Sequence, residues 1–513
     1  MWLASSFEQL TSDLRLQPFS LLYLKKKQIT MKQILLLLIA ISSINMIFCQ
    51  EIPLSIEPYI FESEKGDKVK AEMGTFAVPE NRNKSNSKTL QLKFVRFKST
   101  NPNPGPPIVY LAGGPGGSGI RSAQYDRFQL FMSMRAIGDV IAFDQRGTGI
   151  SEGPIPYEGF WMSDFAKPTT EQSATKVVGS ETINAASYFE ENGTDLTGYN
   201  SNESADDLND LRIALGVEKI SLWGISYGSH LALATLKRHE SKIEKIIIAG
   251  VEGYDHTVKL PSDQQALLEK IDALIKADPE ASKAYPDFLG DMEKLLNVLD
   301  EKPQMVTSVH PLAGTDIQVA IGKLDMQMLI SWTLRGPESF ADLPLMISQM
   351  LNGDYSSIKE HAVYTHVGKF QGMAMSMDVA SGISKARRER IKKEAASTLL
   401  GDAINFPYFQ HRAELPSLDL GKDFRAPFYS EIPVLCISGT LDGRTAVNNA
   451  IETLEYLPNG KHLIIEGAGH SDPLFLSSPR IEEVMLEFMQ GKKIENETIA
   501  LEPMTFKLPS QEK

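Results

Sequence analysis

The five residues Gly224–Gly228 constrain the fold more than any other part of this 513-residue sequence. They read Gly-Ile-Ser-Tyr-Gly; a strand-like run, Ile220–Trp223, precedes them and a helix-like run of small and apolar residues, Leu231–Leu236, follows. A G-x-S-x-G pentapeptide in this setting predicts a sharp strand-to-helix turn that exposes the serine hydroxyl. Glycine suits both ends of the turn because a Cβ there would collide with the neighbouring strand or helix. Ser226 is therefore the first candidate for a nucleophile.

Short apolar runs alternate with helix-like stretches over much of the chain. Continuous apolar runs predict buried parallel strands; they comprise Ile108–Leu111, Val140–Phe143, Ile220–Trp223, Ile246–Ala249, Val434–Ile437 and Leu463–Ile465. Two alternating runs, Thr75–Pro79 and Leu90–Phe97, predict antiparallel strands. Strands that alternate with helices predict an α/β fold, with a mostly parallel sheet flanked by helices on both faces.

The same alternation divides the chain into segments. It runs through residues 50–254, stops, and resumes over 431–491, so these two stretches form the predicted α/β core. Helix-period patterns fill residues 255–430, with little that is typical of a buried strand. We therefore expect an inserted helical cap over the carboxyl edge of the sheet. Residues 492–513 are charged and contain proline, which predicts a poorly packed tail.

The N-terminal region is typical of an exported protein. Basic residues up to Lys32 precede an apolar run from Ile34 to Cys49, which has the length of a signal peptide and is short for a membrane span. Residues 31–49 are therefore predicted to be a signal peptide, and residues 1–30 an extension from an upstream start. The expected location is extracytoplasmic, periplasmic or secreted, without stable membrane insertion. A lipoprotein attached through Cys49 and an uncleaved anchor are the alternatives.

Charge and cysteine content exclude several classes of function. The formal net charge of -13 argues against nucleic-acid binding, which requires clustered Lys and Arg. Cys49 and Cys436 are the two cysteines of the sequence, so no internal disulfide is expected once a signal peptide is removed. Cys436 stands in an apolar run and is predicted to be buried and inert. No Cys/His spacing indicates a metal site and no cofactor is expected, while the oligomeric state is left open.

A serine nucleophile needs a base that takes its proton and an acid that holds the base. Where the serine lies on such a turn, the chain order is serine, acid, histidine. Asp442 follows the apolar run that ends at Ile437, and His470 follows the next run, which ends at Ile465. Ser226, Asp442 and His470 thus form a candidate triad in the required order.

Other residues compete for these roles. Asp442 on its own is equally well explained as a turn aspartate, and Glu252, just past the strand that follows the turn helix, is a second candidate acid. His462 is expected to precede its strand and to point away from Ser226. His230, four residues after the serine, is expected to pack beside the helix.

A glycine-rich loop, Ala112–Gly119, directly follows one predicted buried strand. Acyl transfer places negative charge on the substrate oxygen, and backbone N–H groups must stabilise it. We expect one N–H from Tyr227 and one from Gly113 or Gly114. A nucleotide-binding interpretation of this loop fails because Pro115 interrupts the glycine pattern and the ribose-binding acid is missing.

Three motifs together resemble the proline iminopeptidase and tripeptidyl aminopeptidase family of α/β-hydrolases. They are Gly113–Gly119, Gly224–Gly228 and the run Asp144–Ser151, which reads Asp-Gln-Arg-Gly-Thr-Gly-Ile-Ser and is the most specific of the three. The resemblance covers residues 70–255 and 430–490. It implies an α/β-hydrolase fold and a secreted or cytosolic serine exopeptidase that removes residues from peptide N-termini.

The resemblance also implies an acid in the cap that binds the free α-amine of the substrate. The segment Met375–Val379 is similar to the one that carries this acid, which makes Asp378 the candidate; a surface or helix-capping aspartate is the alternative. Many relatives begin the glycine-rich loop with His or Asn, whereas this chain has Ala112.

The predicted function is that of a secreted serine exopeptidase, prolyl or tripeptidyl aminopeptidase-like, which acts on peptides through an acyl-enzyme. A carboxylesterase with the same triad is one alternative, and a non-catalytic binding protein on the same fold is another. Epoxide hydrolases and dehalogenases are disfavoured because such relatives place aspartate where this chain has Ser226. The residue preferred at the cleavage site and the number of residues released are left open.

Overall fold

A computed structural model describes residues 52–509. The strands are β1 Leu54–Glu62, β2 Lys68–Pro79, β3 Thr89–Phe97, β4 Gly105–Leu111, β5 Gly138–Asp144, β6 Phe160–Met162, β7 Ile220–Ile225, β8 Ile243–Ala249, β9 Gln304–Val309, β10 Asp316–Ile321, β11 Val367–Lys369, β12 Val434–Gly439, β13 Lys461–Glu466 and β14 Glu497–Ala500. The α-helices of the first half are α1 Gly119–Gln124, α2 Phe128–Met134, α3 Glu171–Glu191, α4 Ser201–Ala214, α5 Tyr227–His239, α6 Pro261–Ala277, α7 Pro279–Ala284 and α8 Phe288–Glu301. Those of the second half are α9 Lys323–Thr333, α10 Pro337–Phe340, α11 Leu343–Leu351, α12 Gly372–Ser381, α13 Lys385–Ala395, α14 Tyr408–Glu414, α15 Lys422–Arg425, α16 Val447–Leu454, α17 Pro473–Leu476 and α18 Pro479–Met489.

Ten strands form one sheet, in the order β1-β2-β3-β5-β4-β7-β8-β12-β13-β14. The pairs β1–β2, β2–β3 and β3–β5 are antiparallel, and all pairs from β5–β4 to β13–β14 are parallel. The predicted mostly parallel sheet with antiparallel strands near the N-terminus is therefore confirmed. Parallel alignment brings the carboxyl ends of β4, β7, β8, β12 and β13 to one edge, where the residues that follow these strands can meet.

Helices cover both faces of the sheet, so neighbouring side chains of β7 pack beneath helices on opposite sides. Trp223 packs in the core beneath α2 and α18, whereas Leu222, its neighbour in sequence, packs in the core beneath α4 and α5. Successive side chains of a strand point to opposite faces, so a strand buried on both sides is apolar throughout. Cys436 is buried in β12, in agreement with the sequence prediction, and it has no disulfide partner within residues 52–509.

Helices α6–α15 lie between β8 and β12, and α6–α11 pack around an apolar core of their own. This insertion is not wholly helical, because β9 and β10 form an antiparallel hairpin and β11 pairs with β6 of the preceding segment. The hairpin was missed because its strands are short and half exposed, so neither carries the continuous apolar run of a buried strand.

The segment 497–507 connects the sheet to this insertion. Strand β14 pairs in parallel with β13, and Phe506 is buried against the core of the insertion. The Tyr285 hydroxyl donates to the Lys507 carbonyl (2.5 Å), and the Lys507 amide donates to the Ala341 carbonyl (3.2 Å). The predicted poorly packed tail from residue 492 thus contains a paired strand and the buried Phe506, while most of its described side chains are exposed. A four-residue edge strand takes its stability from its neighbour, and its own sequence gives little sign of it.

Within residues 52–509, no helix combines the length and the apolar character needed to cross a bilayer. The predicted extension 1–30 and signal peptide 31–49 lie outside the described residues.

Candidate active site

Ser226 lies at the sharp turn between β7 and α5. Its φ of 54° and ψ of -125° form a conformation that a residue with a side chain rarely adopts. A Cβ at Gly224 would overlap the Gly228 carbonyl oxygen, and a Cβ at Gly228 would overlap that of Leu111. The two glycines of the pentapeptide are thus required by close approach of the backbone. Ser226 is partly exposed while its neighbours in the turn are buried, so the turn presents this one side chain.

Asp442 and His470 follow β12 and β13 and are hydrogen-bonded to each other. His470 Nδ1 lies 2.7 Å from Asp442 Oδ2, and Thr445 Oγ1 donates to the same oxygen (2.6 Å). The amides of Arg444 and Thr445 donate to Asp442 Oδ1 at 2.7 and 2.8 Å. Burial alone would raise the pKa of Asp442, but His470 and these hydrogen bonds outweigh burial and lower it. An ionised aspartate at Nδ1 leaves Nε2 as the ring nitrogen available to a nucleophile.

Ser226 and His470 line one cavity of about 600 Å³. The imidazole packs close to Gly250, where a Cβ would lie 3.1 Å from His470 Cε1. Between Ser226 Oγ and the ring there is no hydrogen bond within 3.5 Å in the described part of the chain. Such bonds are often long in ligand-free enzymes and shorten when substrate binds. The structure therefore brings all three candidate triad residues together at the carboxyl edge of the sheet.

The glycine-rich loop lies directly against the serine. A Cβ at Gly113 would be 2.9 Å from Ser226 Cβ, so a side chain at this position would displace the nucleophile. Gly113 and Gly114 both line the cavity, and Tyr227, the first residue of α5, follows the serine. The backbone of these residues lies beside Ser226, and their role as oxyanion-binding N–H donors stays a prediction.

The Asp-Gln-Arg-Gly run holds the glycine-rich loop in place. Asp144 Oδ1 accepts from the Ser118 hydroxyl (2.5 Å) and the Ile120 amide (3.1 Å), which fixes the far end of the loop. Gln145 Nε2 donates to the Ala112 carbonyl (3.2 Å), which fixes its beginning. These bonds give the most specific motif of the sequence a structural role next to the nucleophile.

Arg146 of the same run is fully buried and joins distant segments. Its Nε and Nη2 donate to the two carboxylate oxygens of Asp207, each at 2.7 Å, in a bidentate pair. Its Nη1 donates to the carbonyls of Glu80 (2.6 Å) and Gly198. One guanidinium therefore ties the loop after β5 to α4 and to the segments around residues 80 and 198.

Two further carboxylates, Glu252 and Asp378, line the cavity. Glu252 follows β8 and pairs with Lys259 Nζ at 2.7 Å, so it is engaged away from His470 and does not act as the acid partner of the histidine. Burial would raise the pKa of Glu252, but Lys259 and then His230 outweigh it and lower the pKa.

Asp378, in α12 of the insertion, has the opposite electrostatics. Burial, together with the negative charge of Glu252, raises the pKa of Asp378 to about 8. The Asp378 carboxyl is therefore mostly neutral at physiological pH. A cation that enters the cavity favours its ionised form and pairs with it. Perturbed acids in a cleft beside a nucleophile are typical of functional sites.

The two other histidines near Ser226 have structural partners. His462 lies inside β13, not before it as expected from the sequence, and its Nε2 contacts Ser438 Oγ at 2.9 Å. His230 is buried in α5, with Nδ1 at 3.0 Å from the Gly253 carbonyl and Nε2 at 3.1 Å from Ser381 Oγ. Neither lines the cavity.

Sequence reasoning missed several residues that line the cavity, namely Lys259, Trp332, Arg335, Arg444 and Thr445. Arg444 and Thr445 follow the candidate acid by two and three residues, so their proximity was a usable signal. Arg335 and Trp332 come from the insertion, and no local pattern connects them with the sheet edge.

A family model described as alpha/beta hydrolase fold matches residues 106–297, the segment that contains the nucleophile turn and the glycine-rich loop. The mostly parallel sheet agrees with that fold, and Ser226 lies inside the matched segment, whereas Asp442 and His470 lie beyond it. The protein has the α/β-hydrolase fold. The matched segment ends inside the insertion, in α8.

Curated relatives of this chain include serine peptidases. The tripeptidyl aminopeptidase of Streptomyces lividans is 29% identical over 152 residues, which are 28% of this chain and 28% of that protein. The serine protease Hip1 of Mycobacterium tuberculosis (strain ATCC 25618 / H37Rv) is 28% identical over 185 residues, 34% of this chain and 35% of that protein. Each match thus spans about a third of the relative's length or less. The resemblance to peptidases of this fold is confirmed at that level.

Among solved structures, this chain is similar to a proline iminopeptidase-related protein of Thermus thermophilus. That likeness covers 82% of this chain and 98% of the other, with 16% sequence identity and a TM-score of 0.38. A thermophilic esterase from Thermogutta terrifontis gives 14% identity and a TM-score of 0.34, with 81% and 98% covered.

Proposed function

We propose that this protein is a serine exopeptidase that releases residues from the N-terminus of peptides through an acyl-enzyme. The observation that carries the proposal is one cavity that holds both Ser226 with the His470–Asp442 pair and the free carboxyl of Asp378. The first group supplies the chemistry of acyl transfer, and the second offers a counter-charge to a free amino terminus. Distant serine peptidase relatives support the same reaction class.

In this proposal His470 Nε2 removes the proton of Ser226 Oγ as the oxygen bonds to the substrate carbonyl carbon. The negative charge that develops on the carbonyl oxygen is stabilised by the backbone N–H groups of Tyr227 and of Gly113 or Gly114. His470 then passes the proton to the leaving nitrogen, and water hydrolyses the acyl-enzyme by the same route in reverse. Asp442 keeps the imidazole oriented and stabilises its protonated form.

Asp378 is proposed to determine that substrates have a free amine. The Asp378 carboxyl can pair with the substrate amine in either protonation state. Transfer of one proton turns a neutral carboxyl and a neutral amine into a carboxylate and an ammonium, and the hydrogen bond between them remains. An acetylated terminus has no basic nitrogen and would leave the partly buried acid without this partner. The charged lining of the cavity also disfavours the carboxylesterase alternative, since uncharged esters gain nothing from it.

The test combines labelling with matched substrates. We expect a fluorophosphonate probe to label the folded protein, and the Ser226→Ala variant to lose both labelling and hydrolysis by a factor of about 10³ or more. Free and N-acetylated aminoacyl and tripeptidyl arylamides, with p-nitrophenyl esters beside them, separate the reaction classes.

Hydrolysis of free-amine arylamides over acetylated ones supports the proposal. Activity on esters alone identifies a carboxylesterase and contradicts it. A folded protein that is neither labelled nor active supports the non-catalytic binding role. The same panel, with varied first residues, measures the preference at the cleavage site.

The location is also part of the proposal. We infer an extracytoplasmic protein from the apolar run that ends at Cys49 and the basic residues before it. Intact-mass measurement of the protein secreted or fractionated from its cells tests this inference: loss of the residues up to 49 is expected, and a full-length cytosolic form contradicts it.

A further inference from the structure

Two arginines line the cavity without a carboxylate partner. Arg335 lies between α9 and α10, and Arg444 lies just after Asp442. Over residues 52–509, neither guanidinium forms an ion pair within 4.0 Å or a side-chain hydrogen bond. The other two cationic side chains of the lining are paired, Arg127 with Asp472 (2.7 Å) and Lys259 with Glu252 (2.7 Å). The cavity therefore holds two cations whose charge no protein carboxylate neutralises directly.

Both arginines are attached to the catalytic residues through their backbones. The Arg335 carbonyl accepts from the His470 amide (2.7 Å), and the Arg444 amide donates to Asp442 Oδ1 (2.7 Å). Burial and then the neighbouring charge of Arg335 lower the pKa of Arg444, while nearby carboxylates such as Asp442 raise it. Arg335 is exposed and Arg444 is half-buried, and an anion that binds in the cavity they line is attracted by both charges.

We propose that Arg335 and Arg444 bind a carboxylate on the leaving part of the peptide substrate. The proposal rests on the function proposed above, in which His470 protonates the leaving nitrogen. The leaving part therefore departs on the side of the histidine, which is where the Arg335 backbone is fixed. Guanidinium groups bind carboxylates in bidentate pairs with strong, directional hydrogen bonds.

Such a site selects peptides with charges at both ends of the cleaved region. The amino terminus would meet Asp378, and a carboxylate beyond the scissile bond would meet the arginines. That carboxylate is either the C-terminus of a short peptide or the side chain of an acidic residue that follows the cleaved bond. A cavity of about 600 Å³ lies within the usual range for small-ligand sites, so a short peptide fits the available space.

The experiment compares leaving groups attached to one acyl residue, chosen as the best from the arylamide panel. The leaving groups are alanine, alaninamide, aspartic acid α-amide and asparagine amide. Alanine carries a terminal carboxylate, aspartic acid α-amide carries a side-chain carboxylate, and the other two are their uncharged counterparts. We expect kcat/KM to be about tenfold or more higher for at least one carboxylate over its counterpart. A difference between alanine and alaninamide identifies a C-terminal carboxylate, and a difference between aspartic acid α-amide and asparagine amide identifies a side-chain carboxylate.

Variants assign this preference to the two arginines. In Arg335→Gln, in Arg444→Gln and most strongly in the double variant, the ratio of kcat/KM between charged and uncharged leaving groups should fall towards one. Arg388→Gln removes the same charge from an exposed residue of α13 that does not line the cavity, and it should keep the parent ratio.

Equal kcat/KM for charged and uncharged leaving groups in the parent protein, with arylamides still cleaved, overturns the role of the arginines and leaves the exopeptidase proposal standing. A preference that survives in the double variant also overturns it. Failure to cleave any free-amine substrate removes both proposals. The comparison in the parent protein needs no variant, so a variant that fails to fold does not prevent the test.

Discussion

Replacement of Asp378 by asparagine should stabilise the protein and impair its proposed activity. The carboxyl has a pKa of about 8 in the folded protein against an ordinary value of 3.8. Folding raises this pKa, so the neutral Asp378 carboxyl adds to the free energy of unfolding. That contribution is complete below pH 3.8 and is lost as the pH rises towards 8. Each pKa unit corresponds to about 1.36 kcal/mol, so the loss between pH 4 and pH 8 is about 5 kcal/mol at most. Because Asp378 is partly open to the cavity, we expect about 2 kcal/mol.

Asparagine has nearly the same shape and does not ionise, so the Asp378→Asn variant avoids this loss. At pH 8 its melting temperature should exceed that of the parent by about 2 °C or more, and the difference should shrink towards zero as the pH falls to 4. The matched control is Asp316→Asn, because the Asp316 side chain is 69% exposed and its nearest cation lies 3.8 Å away. This control should show no such dependence on pH.

The same variant should lose kcat/KM on free-amine substrates by about 10- to 100-fold, since a charge-assisted hydrogen bond contributes about 1.5–3 kcal/mol. Its activity on acetylated substrates and on esters should change far less. Thermal unfolding from pH 4 to 8 and steady-state kinetics on both substrate types measure the two effects. A variant that is no more stable than the parent at pH 8 would refute the burial argument. Equal losses on free and acetylated substrates would remove Asp378 from amine recognition.

Two further substitutions test the supports of the site. Gly113→Ala places a Cβ 2.9 Å from Ser226 Cβ, so kcat should fall about 100-fold with a smaller change in KM, and steady-state kinetics would reveal an unchanged kcat if the loop can shift. Arg146→Met removes the guanidinium that holds Asp207 and leaves that carboxylate buried with Arg82 as its remaining partner (2.7 Å), so unfolding in urea should show a loss of about 3–5 kcal/mol. A loss below about 1 kcal/mol would mean that Arg82 alone satisfies Asp207.

Local sequence signals were enough to predict the sheet and the candidate triad. Ser226, Asp442 and His470 each follow a strongly apolar strand, and a parallel sheet brings the residues after such strands to one edge. The glycines around Ser226 identified the turn because close backbone approach leaves room for no other residue. These features depend on a few neighbouring residues, so they can be recognised in the sequence alone.

Long-range contacts could not be predicted in the same way. The sequence does not show that Glu252 pairs with Lys259, and without this ion pair Glu252 is an equally good candidate acid. The packing of the insertion brings Arg335 to the cavity, and no periodicity in the sequence around Arg335 predicts that position. Strand β14 depends on β13 for its hydrogen bonds, and its four residues have no apolar pattern of their own.

The segment 497–507 has a mechanical consequence. It is hydrogen-bonded to β13 at one end and to Tyr285 and Ala341 of the insertion at the other, with Phe506 buried between these contacts. It therefore tethers the β14 edge of the sheet to the insertion. Any hinge motion that lifts the insertion away from β13 has to stretch or release this segment, although none of its residues lines the cavity.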